Sequence, residues 1–167
     1  MPSVEFVHGV TDEATAEDFL VLLTLTHPDL DALEADAPEL GVSGGALRLV
    51  NHPVNIVSRG ETYLGFPFSW VDPEQGERPR PRARLRIDNV DRRITQLIRS
   101  LSSAPYARAE IVLGSDPDTV ERAYPPFVMT SADWGDVDVS ADLGVRDDDD
   151  EPVCAWSHSP KFSPALF

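Results

Sequence analysis

The sequence is poor in several features that would point to particular classes of protein. Its single cysteine, Cys154, excludes an internal disulfide and a CxxC metal site. No apolar run reaches 18 residues, so we expect no transmembrane helix and no membrane partner. The segment "MPSVEFVHGV" lacks the basic and long apolar parts of a secretory signal. These absences predict a protein that is made and assembled in the cytoplasm.

Motifs of catalysis and cofactor binding are also missing. There is no GxSxG nucleophile elbow and no GxxxxGK[ST] phosphate loop, and "GVSGG" (41–45) is interpreted as a flexible loop. None of the four histidines has a partner at metal-ligand spacing: His8, His27, His52 and His158. We therefore predict that the protein is not an enzyme, with no catalytic residue, no cofactor and no metal site.

Acidic residues are abundant, and basic residues other than arginine are almost absent. The chain has 29 acidic and 14 basic residues, a net charge of −15, and Lys161 is its only lysine. The run "DDDDE" (147–151) lacks the spaced ligand order of a calcium loop and is interpreted as solvated. A further acidic group is predicted to form the polar outer face of a hairpin rather than a catalytic pair: Asp133, Asp136, Asp138 and Asp142.

Apolar periodicity predicts mostly strands. The run "FLVLLTLT" (19–26) favours a buried strand, with a helix as the alternative, and further strands are expected within 46–57, 62–71, 80–87, 106–115 and 127–145. One helix is expected at about 90–103, because Val90, Ile94, Leu97, Ile98 and Leu101 form a helical stripe. The predicted class is mainly β with one helix (α+β), as a small split barrel or sandwich.

The predicted organisation is one β-rich domain with a tail. Residues 1–145 form the domain, with 31–45 as a loop or insertion, because 41% of the 167 residues are apolar, enough for one core. Residues 146–167 contain the acidic run and end in apolar side chains that are expected to pack on the protein's own core or on a neighbour.

The segment "RPRPRARLRI" (78–87) places arginine at every second position, which is the period of a strand. From 78 to 108 there are nine arginines and two acidic residues, so this stretch carries +7 and the rest of the chain −22. Pro79 and Pro81 lack an N–H and place the start of the strand at a sheet edge.

Three interpretations of these arginines stay open. They can pair with carboxylates of the same chain, such as those of 136–142, or face an acidic patch on another copy or another protein. Binding to nucleic acid is the third, and the negative charge of the remaining chain opposes it, so no nucleic-acid partner is expected. A ring of identical subunits would satisfy both of the first two. The interface candidates are Arg80, Arg82, Arg84, Arg86, Phe162, Leu166 and Phe167.

Five segments together resemble an uncharacterised family of short proteins encoded among the tail genes of long-tailed bacteriophages and prophages. They are "HPDL" (27–30), "ALRLVN" with "ETYLGFPF" (46–51, 61–68), "RARLRIDNVDRRITQLIRSL" (82–101), "EIVLGSDPDTVE" (110–121) and "FSPALF" (162–167). The resemblance covers roughly 19–30 and 46–167, and "LRIDNVDR" with its helix is its most specific part.

The resemblance implies a virion structural protein of the distal tail or tail tip. Such a protein joins the tail tube to the hub by ring-like assembly with copies of itself and with tube, hub and tail-tip proteins, and it is located in the virion tail. One alternative is a receptor- or glycan-binding β-module of the tail tip, motivated by the aromatic residues Tyr63, Phe66, Phe68 and Trp70. A cell-wall hydrolase is a second alternative.

Overall fold

The computed structural model describes residues 3, 4, 7, 17–33, 40–73, 82–88, 92–135 and 138–145. Within these ranges the chain forms two helices, α1 (Pro28–Leu33) and α2 (Arg92–Ser100), and eleven strands. The strands are β1 (Phe19–Thr26), β2 (Val42–Ser43), β3 (Ala46–Val50), β4 (Ile56–Ser58), β5 (Glu61–Gly65), β6 (Phe68–Val71), β7 (Arg82–Asp88), β8 (Tyr106–Leu113), β9 (Val120–Ala123), β10 (Phe127–Trp134) and β11 (Asp138–Gly144).

All eleven described strands belong to one sheet. Its order is β4-β5-β3-β1-β8-β10-β11-β7-β6, with β2 paired to β3 and β9 paired to β8. The sheet is open, since β4 and β6 end the order without pairing to each other. The predicted class, mainly β with α-helix (α+β), is confirmed, but the described residues contain two helices where one was predicted.

The sheet curls around one apolar core. Leu47 and Leu49, near one end of the strand order, share this core with Phe68 at the other end. Helix α2 covers it with Ile94, Leu97 and Ile98, the stripe predicted from the sequence. Because side chains from both ends of the order contact the same core, the sheet cannot be flat.

Strand β1 lies in the middle of the sheet and is buried on both faces. Leu23 and Leu25 enter the main core, whereas Leu20 and Leu22 enter a second cluster on the opposite face. A strand buried on both sides has a continuous apolar run rather than an alternating one. This confirms the strand interpretation of "FLVLLTLT" and excludes the helical alternative.

The β4–β5 hairpin covers this second cluster. Tyr63 of β5 is buried in it beside Val50 and Val112, and its hydroxyl lies 3.4 Å from the Thr24 hydroxyl. The Ser58 hydroxyl donates a 2.7 Å hydrogen bond to the Pro117 carbonyl. The hairpin is thereby attached to the loop between β8 and β9.

The region expected to be a loop or insertion, 31–45, is partly regular. Helix α1 continues to Leu33, and β2 and β3 form a hairpin with Gly44 and Gly45 as its turn. Both glycines have positive φ, 54° and 68°, as a two-residue turn of this type requires. The interpretation of "GVSGG" as a flexible loop is therefore wrong.

The aromatic segment expected as one strand over 62–71 is two strands. Its first part, β5, pairs in parallel with β3, and its second part, β6, pairs with β7. The predicted hairpin with the arginine strand is confirmed for β6 alone. Pro67 lies at the break, where its missing N–H prevents continuous pairing. The segment expected as a connection, 116–126, also contains a strand, β9.

Candidate assembly interface

Strand β7 exposes its arginines and buries the residues between them. Arg82, Arg84 and Arg86 are exposed, whereas Ala83, Leu85 and Ile87 enter the core. The alternation expected from the sequence is confirmed for these positions. Arg80 lies outside the described residues, as do Phe162, Leu166 and Phe167.

Strand β7 lies between β11 and β6 rather than at the end of the strand order. Its first two residues, Arg82 and Ala83, pair with β11, and the pairing with β6 begins at Arg84. Pro79 and Pro81 lie outside the described residues. We call the side chains of β7, β11 and β10 that point away from the core the outer face; they are Arg82, Arg84, Arg86, Asp88, Asp138, Ser140, Asp142, Ser131 and Asp133, of which Asp138 and Ser140 are half-buried.

Arg84 and Asp142 face each other across the β7–β11 pairing. The Arg84 Nε donates a 3.0 Å hydrogen bond to one carboxylate oxygen of Asp142, and the Ser131 hydroxyl donates to the other at 3.1 Å. The hydrogen bond from Arg84, followed by that from Ser131, lowers the pKa of Asp142 below its usual value. Asp142 is thus held as a carboxylate on the outer face.

Arg86 makes the second contact of this kind. It faces Ser140 in the register, but its Nε reaches diagonally to the Asp138 carboxylate at 2.7 Å. Asp138 itself faces Asp88, and a pair of like charges directly opposite is unfavourable. Arg86 offsets that repulsion. The interpretation that the arginines pair within the chain is therefore correct for Arg84 and Arg86.

These two pairs leave donors exposed. The side chain of Arg84 is 67% exposed and that of Arg86 is 58% exposed. Each contacts its carboxylate through Nε, and a guanidinium has five N–H groups. Their terminal nitrogens can therefore bind carboxylates of another chain.

A shallow groove of about 300 Å³ crosses the outer face, lined by Arg84, Ser131, Ala132, Asp133, Ser140 and Asp142. Asp133 faces Ser140 across the β10–β11 pairing. Among the residues that the structure describes, no basic side chain forms an ion pair with Asp133. The groove therefore presents an exposed carboxylate beside an exposed guanidinium.

Two further polar clusters stabilise the fold away from the outer face. In the Glu110 cluster, the Arg59 guanidinium binds the buried Glu110 carboxylate, and Arg108 binds its second oxygen at 2.7 Å. Burial raises the pKa of Glu110, but the hydrogen bond and charge of Arg59, together with Arg108, outweigh it and the net pKa is lowered. This cluster was not among the sites predicted from the sequence.

The second cluster surrounds Asp72. One oxygen of its carboxylate accepts hydrogen bonds from the Tyr124 hydroxyl at 2.6 Å and from the Trp70 indole at 2.9 Å. Burial, then the hydrogen bond to Asp72, raises the pKa of Tyr124 to about 12. Asp72 thus fixes the end of β6 to the chain that follows β9.

The aromatic residues that suggested a glycan-binding surface belong to the interior. Phe66 and Phe68 are buried in the main core, and Trp70 packs against it. Tyr63 is buried in the second cluster. None of these four side chains forms an exposed platform for a sugar.

His27 has partners that the sequence spacing did not reveal. Its Nε2 lies 2.7 Å from the Ser103 hydroxyl, and Asp29 is also adjacent, which brings together the residue types of a serine hydrolase. However, Nδ1 accepts the Asp29 backbone N–H at 3.1 Å and lies 3.5 Å from the Asp29 carboxylate, a geometry that places the proton of a neutral His27 on Nε2, facing Ser103. This tautomer cannot accept a proton from the serine, as a catalytic base must.

His27 therefore caps helix α1 and links it to the loop after α2. The Ser102 backbone N–H donates to the Asp29 carboxylate at 2.8 Å, and this bond is the main cause of the lowered pKa of Asp29. His52 contacts Val54 within its own loop. His8 and His158 lie outside the described residues.

No group of three or more His, Cys, Asp or Glu side chains is placed to hold a metal ion in the ranges that the structure describes. Neither of the two described helices is long and apolar enough to cross a membrane.

Comparison with protein-family profiles and with curated proteins found no match for this chain.

Proposed function

We propose that the protein is a structural subunit that assembles with other proteins through its outer face, and that it belongs to the distal tail or tail tip of a long-tailed bacteriophage. The outward presentation of Arg84 and Arg86, each paired through Nε and largely exposed, carries the assembly part of this proposal. The sequence resemblance, which includes β7 and helix α2, supports the tail location.

The exposed arginines suit a protein interface better than they suit internal stabilisation. An exposed ion pair contributes about 0–1 kcal/mol to stability, so pairs such as Arg84–Asp142 add little to this fold. Arginine can bind a carboxylate through two parallel hydrogen bonds in a planar, bidentate geometry, and it is enriched at protein interfaces. The outer face is therefore expected to act mainly in binding another protein, with ring-like assembly as the form that the resemblance implies.

The tail location is tested by mass spectrometry of purified particles of a phage whose genome encodes this chain. We expect the protein to be present in a few copies per particle, far fewer than the major tail protein. Its absence from particles that are complete and infectious would contradict the tail assignment.

The role of the outer face is tested by exchanging the charges of one pair. In the double variant Arg84→Glu with Asp142→Arg, an internal ion pair can still form, but the charges offered to a partner are reversed. We expect this variant to fold with an unchanged melting temperature and to fail to enter particles.

The matched control is Arg92→Glu, a basic-to-acidic change at an exposed position of α2, the helix that packs on the core-facing side of β7. It should fold and assemble normally. If the Arg84/Asp142 exchange also assembles normally, the outer face is not the contact surface.

A further inference from the structure

The outer face carries charges of both signs in an ordered arrangement. Strand β7 supplies Arg82, Arg84 and Arg86, whereas β10 supplies Asp133, and β11 lies between the two strands. With Asp88, Asp138 and Asp142 included, three positive charges stand beside four negative ones. This face is thus nearly neutral, although the whole chain carries −15.

The register places Arg86 and Asp133 in one row across the sheet. Ser140 of β11 is the partner of Arg86 on one side and of Asp133 on the other. The two positions are therefore two strand spacings apart, roughly 10 Å, with a small side chain between them. From β7 to β10 the side chains of this row are positive (Arg86), neutral (Ser140) and negative (Asp133).

The charges of this row are complementary to those of the same row in a second copy of the chain. Two copies can be placed with their outer faces in contact and related by a two-fold axis parallel to β11. In this arrangement β7 of each copy lies over β10 of the other. Positions at the same level along the strands then meet, so Arg86 of each copy faces Asp133 of the other and Ser140 faces Ser140. Asp138 and Asp142 of β11 also face their own copies, but each is already paired with an arginine of its own chain, Arg86 and Arg84 respectively. Both ion pairs form at once, as a two-fold interface requires.

We propose that the outer face is a two-fold interface between two copies of this chain, in which Arg86 of each copy binds Asp133 of the other. This inference names the partner in the proposed assembly role, and its biological setting rests on that proposed role. This contact is two-fold rather than head-to-tail between a basic edge and an acidic edge, because the structure puts both signs on one face, so a ring would be built from such dimers through a second surface. The exposed Asp133 carboxylate in the groove is the acceptor that Arg86 lacks within its own row.

The test is sedimentation velocity of the purified full chain over a wide concentration range. We expect the wild type to form a dimer whose fraction rises with concentration and falls in about 1 M salt, where the screening length is about 3 Å. A wild type that stays monomeric at every concentration would overturn the proposal.

Charge reversal on either side then identifies the contact. Arg86→Asp and Asp133→Arg should each weaken dimer formation by about tenfold or more, since each puts like charges together at both contacts. Arg92→Asp, on the exposed side of α2, should leave the dimer unchanged. The Asp133→Arg variant remains informative if Arg86→Asp destabilises the fold, because Asp133 has no ion-pair partner among the described residues.

The decisive measurement is an equimolar mixture of the two reversed variants. In a mixed pair both contacts join an acidic with a basic residue, so the dimer should return to near its wild-type strength. A merely structural effect of either substitution would not be rescued in this way. Failure of the mixture to dimerise would rule out the Arg86–Asp133 contact, whether or not the protein is found in phage tails.

Discussion

In the Glu110 cluster two arginines converge on one buried carboxylate, whereas on the outer face Arg84 and Arg86 each contact a different aspartate. The side chain of Glu110 is 6% exposed, and that of Asp142 is 51% exposed. The chemistry of the pairs is the same, but water screens the pairs of Glu110 less, because the carboxylate is buried although Arg59 and Arg108 are partly exposed. The comparison therefore separates charges that stabilise the fold from charges that remain free to bind a partner.

The largest effect is expected from Glu110→Gln. This change leaves Arg59 and Arg108 without their shared carboxylate at a buried position, which should cost about 2–3 kcal/mol after allowance for the partial exposure of the arginines. For a chain of this size the melting temperature should fall by about 4–12 °C. Thermal unfolding followed by circular dichroism measures the change.

The matched control for that variant is Glu61→Gln. Glu61 pairs with Arg48 at 3.4 Å but is 52% exposed, so the same substitution should change stability by no more than about 1 kcal/mol. Equal losses in the two variants would show that burial does not distinguish these ion pairs.

The contribution of the buried Glu110 carboxylate to stability should also depend on pH. Because the folded-state pKa of Glu110 is below its ordinary value of 4.5, its ionised form stabilises the fold above that pH. This contribution is lost as the pH falls through the lowered pKa. The stability difference between wild type and Glu110→Gln, measured by urea unfolding, should be constant near neutral pH and shrink below about pH 4.5. A difference independent of pH would contradict the assignment.

The smallest effect is expected for the exposed pair. A double-mutant cycle of Arg84→Ala and Asp142→Ala should give a coupling free energy of about 0.2–1 kcal/mol, because both side chains remain in contact with water. Urea unfolding of the four proteins measures it. A coupling as large as the loss in Glu110→Gln would mean that the outer face serves the fold rather than a partner.

The regular parts of the fold could be predicted because periodicity reports burial directly. The alternation of β7 and the stripe of α2 each give one buried face, and both were located from the sequence. Helix α1 and strand β9 were missed because six and four residues are too few to show a period. The break at Pro67 was missed because the aromatic residues on both sides of it favour a strand.

The candidate site was predictable in part. The carboxylates of 136–142 were named as possible partners of the arginine strand, and Asp138 and Asp142 are such partners. The Glu110 cluster had a partial signal, since Arg108 and Glu110 are two residues apart and share a strand face. Arg59 comes from a hairpin far away in sequence, so no local pattern indicated it. Asp72 and Tyr124 likewise meet only through the curl of the sheet.

The join between β5 and β6 has a consequence for how the sheet is held together. Only Phe66 and Pro67 separate these strands, yet β5 pairs with β3 and β6 pairs with β7, on opposite sides of the strand order. Two intervening residues span no more than about 11 Å, so the covalent chain itself keeps the two margins close. Neither side of the strand order can separate from the core without displacing the other. This short covalent connection favours unfolding of the sheet as a single cooperative unit.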